Sequence, residues 1–441
     1  MAEVLPFRGI LYNTQKIRNL SDVVTPPYDV ISKQEQHDFY ERHPKNIIRL
    51  ILGKTTENDN INNNYYTRAS DVLKNWFSEN ILKQDITPAF YLTFMDFSLE
   101  NKIFTRYGII ALVALEPFKN GVILPHESTF PNVKMERFEL MKSCHANFSP
   151  IFSLYSDHKN IIIDKLKGLA LKQAPVIDFT DYDGHRHKMW RITDLDSCGY
   201  VSNVMQEKRL FIADGHHRYE TALNYRDWIL SNNPEFKKGY PANYVMMYLT
   251  SMENTGLVIL PAHRMVKGLK SSITGSFINK AEDYFDILTI PFMDSEFERA
   301  RAEFISILKS NASKNIIGVL MKDSMEFYLL TLKSGVMKQM FSNELPEALR
   351  TLDVTVLTHL IFIKIFGFDN SQLDNESTIT YSSSEKQAIE AAVSGKCDIS
   401  FILNPTKIEQ VRNIANKGLI MPRKSTYFYP KVLTGLVINK L

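Results

Sequence analysis

Cysteine is scarce in this sequence, with three in 441 residues, and Cys144, Cys198 and Cys397 form no Cys-x-x-Cys pair. That spacing excludes a disulfide framework and a cysteine-built zinc site, and a reducing, cytoplasmic location is expected. Long apolar runs are missing too. Residues 109–115 and 360–366 are far short of a bilayer span, the second is broken by Lys364, and residues 1–8 lack the pattern of a secretory signal, so no membrane partner is expected. Charge of one sign is also absent: 52 basic against 49 acidic residues, net +3, with no helix-turn-helix, argues against a nucleic-acid partner. No period of roughly 20 to 50 residues marks a repeat protein.

What is present is a globular composition, 44% hydrophobic and 23% charged, long enough for two or three domains. The most informative stretch is 209–223. Leu210, Phe211, Ile212 and Ala213 make the short apolar run of a buried strand, Asp214-Gly215 breaks it, and Tyr219, Ala222 and Leu223 recur at helical spacing. A helix start following a glycine turn offers unpaired amides and the positive end of the helix dipole to an anion. Asp214 is expected to cap that helix, Gly215 to allow close backbone approach, and Arg218 to grip a phosphate, with His216 and His217 beside it. The competing reading is a plain helix start whose Arg and His residues make local salt bridges. Adjacent helical residues point about 100° apart, so His216 and His217 are not expected to share one metal ion.

The string Phe-Ile-Ala-Asp-Gly-His-His-Arg-Tyr-Glu-Thr-Ala-Leu at 211–223 resembles the family DUF1015. Its Asp-Gly-His-His-Arg part is similar to the nucleotide-binding motif of the ParB and sulfiredoxin-like superfamily, which includes CTP-binding partition proteins, sulfiredoxins and free-serine kinases. The resemblance implies an α/β (α+β) chain with a ParB/sulfiredoxin-like nucleotide-binding core, expected over residues 1–265; from about Val266 the rhythm of strands and helices changes, so a second α/β domain is expected over 266–441, with a tail that can fold back on the core.

Other stretches carry further candidates. Pro26 and Pro27 hold Tyr28 and Asp29 in a rigid loop before a helix that Ser32 and Glu35 start with a capping box, so Tyr28 and Asp29 are candidate substrate contacts. His126-Glu127 is not a zinc protease motif, since no histidine follows at the right spacing. Glu127 is a candidate general base with His126 beside it, or else a structural ion-pair partner of Arg137, itself a candidate anion contact. His263 and Arg264, the polar tip of a strand expected over 257–264, are secondary candidate substrate contacts, with a structural role the alternative. Lys424, in a tail rich in basic and aromatic residues, is a candidate phosphate contact, although no Gly-x4-Gly precedes it; an aromatic clasp between domains is the alternative. The 181–187 hairpin holds His185 and His187, two metal-ligand types without a third ligand apparent in sequence. Helices are expected at 65–82 and 345–366.

The function these readings imply is phosphoryl transfer from ATP or ADP, with Mg2+, to a small hydroxylated metabolite, in the manner of a free-serine kinase. Asp214, Gly215, His216, His217 and Arg218 hold phosphate, while Glu127, His126 and His217 serve the chemistry. The alternatives are a phosphoserine phosphatase using the same site and a nucleotide-gated binding protein without turnover. Sulfiredoxin-type repair is disfavoured because the motif has histidine where a reactive cysteine is needed. Oligomeric state is left open.

Overall fold

The structure is a computed structural model of the full chain and describes all residues except 128, 130 and 238. It is a mixed α/β protein that divides into two compact units. The first holds Met1–Pro125, Thr129–Val258 and Pro430–Leu441; the second holds His126–Ser128 and Ile259–Tyr429. The sequence boundary at 265 therefore differs in three places: 126–128 and 259–265 go to the second unit, and the last twelve residues go to the first.

The first unit is built on a nine-stranded mixed sheet. Its long antiparallel pair, Phe90–Leu99 with Lys102–Ala114, lies beside Tyr244–Ser251, which pairs in parallel with Ile151–Tyr155. Ile151–Tyr155 in turn pairs antiparallel with Leu210–Asp214. The strand Tyr244–Ser251 is buried at every position, as a strand covered on both faces must be. The tail completes this unit: Thr434 bridges Thr25, Ile438 bridges Ile10, and Asn439–Lys440 pairs with Ala146–Asn147. Ser32 and Glu35 form the expected capping box, Ser32 N–H donating to Glu35 at 2.7 Å and Glu35 N–H to Ser32 Oγ at 3.2 Å.

The second unit is a six-stranded antiparallel sheet covered on both faces. Alternation along the strands decides which core each side chain joins. Ile317 and Val319 face one, Ile316 and Leu320 the other, and Gly318 leaves room for Phe304, which would lie 2.4 Å from a Cβ there.

Three expected elements are redrawn. Helix Tyr65–Ser78 stops short, so that Leu82–Gln84 is a strand. The 257–264 strand becomes two, Val258–Leu260 and His263–Val266, because Pro261 cannot donate to a ladder. The 345–366 helix breaks into Glu347–Arg350, Asp353–Val356 and a π-helical stretch Leu357–Ile365, the first break falling at β-branched Thr351, whose hydroxyl bonds back to Ala348. Among the described residues no helix is long and apolar enough to cross a membrane.

Candidate functional site

The strand Leu210–Asp214 ends in a bulge: Phe211 and Ile212 face Leu154 and Ser153, but the next pair is Asp214 with Phe152, leaving Ala213 as the extra residue. Bulges re-aim the side chain that follows. Here that side chain is Asp214. Gly215 then adopts φ +97° and helix His216–Asn232 begins. A Cβ at Gly215 would lie 2.9 Å from the Arg218 guanidinium, so the glycine serves both the left-handed turn and the close return of Arg218 over it.

Asp214 does not cap the helix, contrary to the sequence expectation. One carboxylate oxygen meets Arg218 Nη2 at 2.5 Å and the other meets Lys431 Nζ at 2.5 Å. All three side chains are 11–12% exposed. Burial alone would raise the Asp214 carboxyl, but Lys431 and Arg218 outweigh it and hold it well below the usual carboxylate range. Arg218 Nη1 also donates to Pro150 O at 2.5 Å. His216 is buried and acts on Asp214, while His217 is partly exposed.

Arg218 also borders a cavity of about 60 Å³ within the first unit, together with Tyr28, Arg137, Asn147, Ser149 and Thr221. Arg137 is 6% exposed. Its guanidinium lies 4.1 Å from the Tyr28 ring centroid, Nη1 donates to Ile51 O at 2.6 Å, and Nη2 pairs with Glu136 at 2.5 Å. Among the described residues its buried Nε has no hydrogen-bond partner. The carboxylate that Arg137 takes is thus Glu136, where the sequence offered Glu127. Burial drives the Tyr28 hydroxyl upward, so it is a neutral donor at physiological pH. Asp29 is exposed beside it.

Glu127, His126, His263, Arg264 and Lys424 all belong to the second unit. There Glu127 accepts from the Ser425 amide at 3.3 Å and lies 3.8 Å from His126 Nε2, which bonds Thr426 Oγ1 at 3.0 Å. His263 and Arg264 are buried inside a strand, not beyond its end. Burial, with Arg264 and Lys309, pushes His263 down to about 3, and its Nδ1 accepts from the Leu403 amide at 3.1 Å. Arg264 donates to the Lys424 carbonyl at 2.9 Å, and burial lowers its pKa to about 10. Lys424 itself is exposed, with φ +53°. The lysine bonded to the Asp214 carboxylate is Lys431, a residue the sequence flagged only as part of a basic tail.

In this mixed α/β protein the strand–turn–helix corner thus has one carboxylate serving two cations, beside a pocket lined by a second arginine. The chain belongs to the family described as "Protein of unknown function (DUF1015)", which it matches over residues 4–355. No curated protein sequence matches it. Among solved structures it is similar to a mutant free serine kinase in complex with ADP (11% identity, 72% of this chain and 87% of that chain, TM-score 0.35). It is also similar to a conserved hypothetical protein from Pyrococcus furiosus (11%, 73% and 92%, TM-score 0.33), and to C-terminally truncated SbnI from Staphylococcus aureus (10%, 74% and 85%, TM-score 0.34).

Proposed function

We propose that the first unit binds the phosphate of a nucleotide or phosphorylated metabolite at the 214–218 corner, and that the protein transfers a phosphoryl group to a small hydroxylated acceptor such as free serine. One observation carries the reading: Arg218 and Arg137 both border the pocket, Asp214 is shared between Arg218 and Lys431, and Arg137 keeps a buried Nε with no partner among the described residues. Such a pocket favours an anion that can accept from guanidinium groups. Its volume of about 60 Å³ suits a group of a few non-hydrogen atoms, a phosphate rather than a whole nucleotide.

The residues fit ATP or ADP at the phosphate. They do not fit Mg2+ at Asp214, because both carboxylate oxygens are already bonded to cations, and no step is assigned to a metal there. In this reading Arg218, Arg137 and the first amides of helix His216–Asn232 hold phosphate, and Tyr28 and Ser149 orient it. The committed Asp214 also favours a second reading, nucleotide binding without turnover.

The test is thermal shift of the whole chain with ATP, ADP, CTP and phosphoserine, with and without magnesium, for wild type and Arg218→Ala, followed by detection of phosphoserine from serine. Stabilisation of wild type that Arg218→Ala loses supports the phosphate site. Product formation selects the kinase, and binding without product selects the second reading. No stabilisation by any phosphorylated ligand overturns both.

A further inference from the structure

The hairpin between strands Ile177–Thr180 and Arg186–Ile192 brings together three side chains that the corner at Asp214 does not use. Asp181 N–H donates to His185 O at 2.9 Å and closes the turn, with Gly184 at φ +81°. Oδ1 of Asp181 accepts the amides of Asp183 at 3.0 Å and His185 at 2.9 Å, which fixes the carboxylate and turns Oδ2 to the histidines. Oδ2 lies 2.7 Å from His187 Nε2 and 3.4 Å from His185 Nδ1. Residues 185 and 187 share a face because strand side chains alternate with period two.

One ligand atom from each of Asp181, His185 and His187 lies within 4.8 Å of the others, and the three side chains are 5–9% exposed. Around a tetrahedral zinc, ligands at about 2.1 Å stand about 3.4 Å from one another. The Asp181–His185 separation already has that value, and the Asp181–His187 hydrogen bond would have to widen by about 0.7 Å. The rings are held by aromatics, Phe179 stacked on His187 at 5.1 Å and Phe97 edge-on to His185 at 6.1 Å. A cavity of about 150 Å³ opens at Asp181, and its lining includes Asp183, Glu35 and Asp38, with Arg42 as its cation. An acidic mouth of this kind gathers cations. The opposing charge is the buried Arg106, near enough to act on His187, whose guanidinium donates to Pro430 O at 2.7 Å.

We propose that Asp181, His185 and His187 bind a borderline divalent transition metal, zinc foremost, through two imidazole nitrogens and one carboxylate oxygen, with a fourth position for water. Magnesium is the wrong ion for the set, since it prefers six oxygens.

The test uses the full chain stripped with chelator and titrated with zinc, and separately with cobalt as a visible probe. Wild type is expected to take one equivalent of either ion, cobalt showing the intense ligand-field bands of four-coordination. Asp181→Asn and His187→Gln are each expected to weaken binding at least tenfold. Absence of stoichiometric binding, a weak octahedral cobalt spectrum, or unchanged affinity in either variant overturns the proposal and leaves the cluster as a hydrogen-bond network. The wild-type cobalt spectrum decides by itself if a variant fails to fold.

Discussion

Replacing Asp214 should harm the first unit far more than replacing Lys431, although both sit in the same ion-pair cluster. Each cation lies 2.5 Å from a carboxylate oxygen. With charge centres about 4 Å apart and an effective dielectric of about 20, each attraction is about 4 kcal/mol before desolvation is subtracted. Asp214→Asn removes both attractions and leaves two buried cations facing one another, which should cost about 3–5 kcal/mol. Lys431→Met leaves a balanced Asp214–Arg218 pair and an aliphatic chain of similar length, and should cost about 1–2 kcal/mol. The double variant removes one of the two cations that the single Asn variant strands, so it should be more stable than the sum of the single losses predicts, by at least about 1 kcal/mol. The assay is urea unfolding followed by tryptophan fluorescence, because Trp76, Trp190 and Trp228 all lie in the first unit. The depressed Asp214 pKa adds a pH signature: its stabilisation is full above the unfolded carboxyl pKa of about 4 and is lost as pH falls through the lower folded value, so the gap between wild type and Asp214→Asn should close in acid. A Lys431→Met loss equal to or larger than that of Asp214→Asn, or strict additivity in the double variant, would refute the shared-carboxylate account.

Gly215→Ala should cost about 1–3 kcal/mol in the same assay, since φ +97° is strained for alanine and the new Cβ meets Arg218 at 2.9 Å; phosphate-ligand stabilisation should fall with it, and an unchanged midpoint would contradict the turn geometry. In the second unit, burial raises Asp353 to about 7, only partly offset by its hydrogen bond from Asn315 at 2.7 Å and by Lys407. Its folded pKa exceeds the unfolded value of about 4, so stability should fall as pH rises from about 4 to 7, by at most about 1.4 kcal/mol per pH unit. Asp353→Asn should flatten that slope and raise the unfolding midpoint at pH 8, measured by circular dichroism. Gly318→Ala should destabilise the second unit by about 1–3 kcal/mol, because Phe304 lies 2.4 Å and Ile402 3.3 Å from the new methyl; a neutral result would show that the two sheet faces are looser than described.

Local patterns carried much of this protein in the sequence itself. The apolar run 210–213, the Asp-Gly break and the helical spacing that follows determined a strand, turn and helix, because each depends on neighbours within a few residues. The Ser32–Glu35 box was legible for the same reason. Side-chain partners were not. Asp214 looked like a helix cap until a bulge and two cations, one of them 217 residues away, took both its oxygens. His263 and Arg264 read as a polar strand tip, but strands on both sides bury them, a fact of sheet order that no local spacing encodes. Asp181 looked like a turn residue, and only the folded hairpin showed it facing both histidines. Residue types and their periods determine which elements form, whereas charge pairing and burial depend on separations that exist only after distant segments have packed.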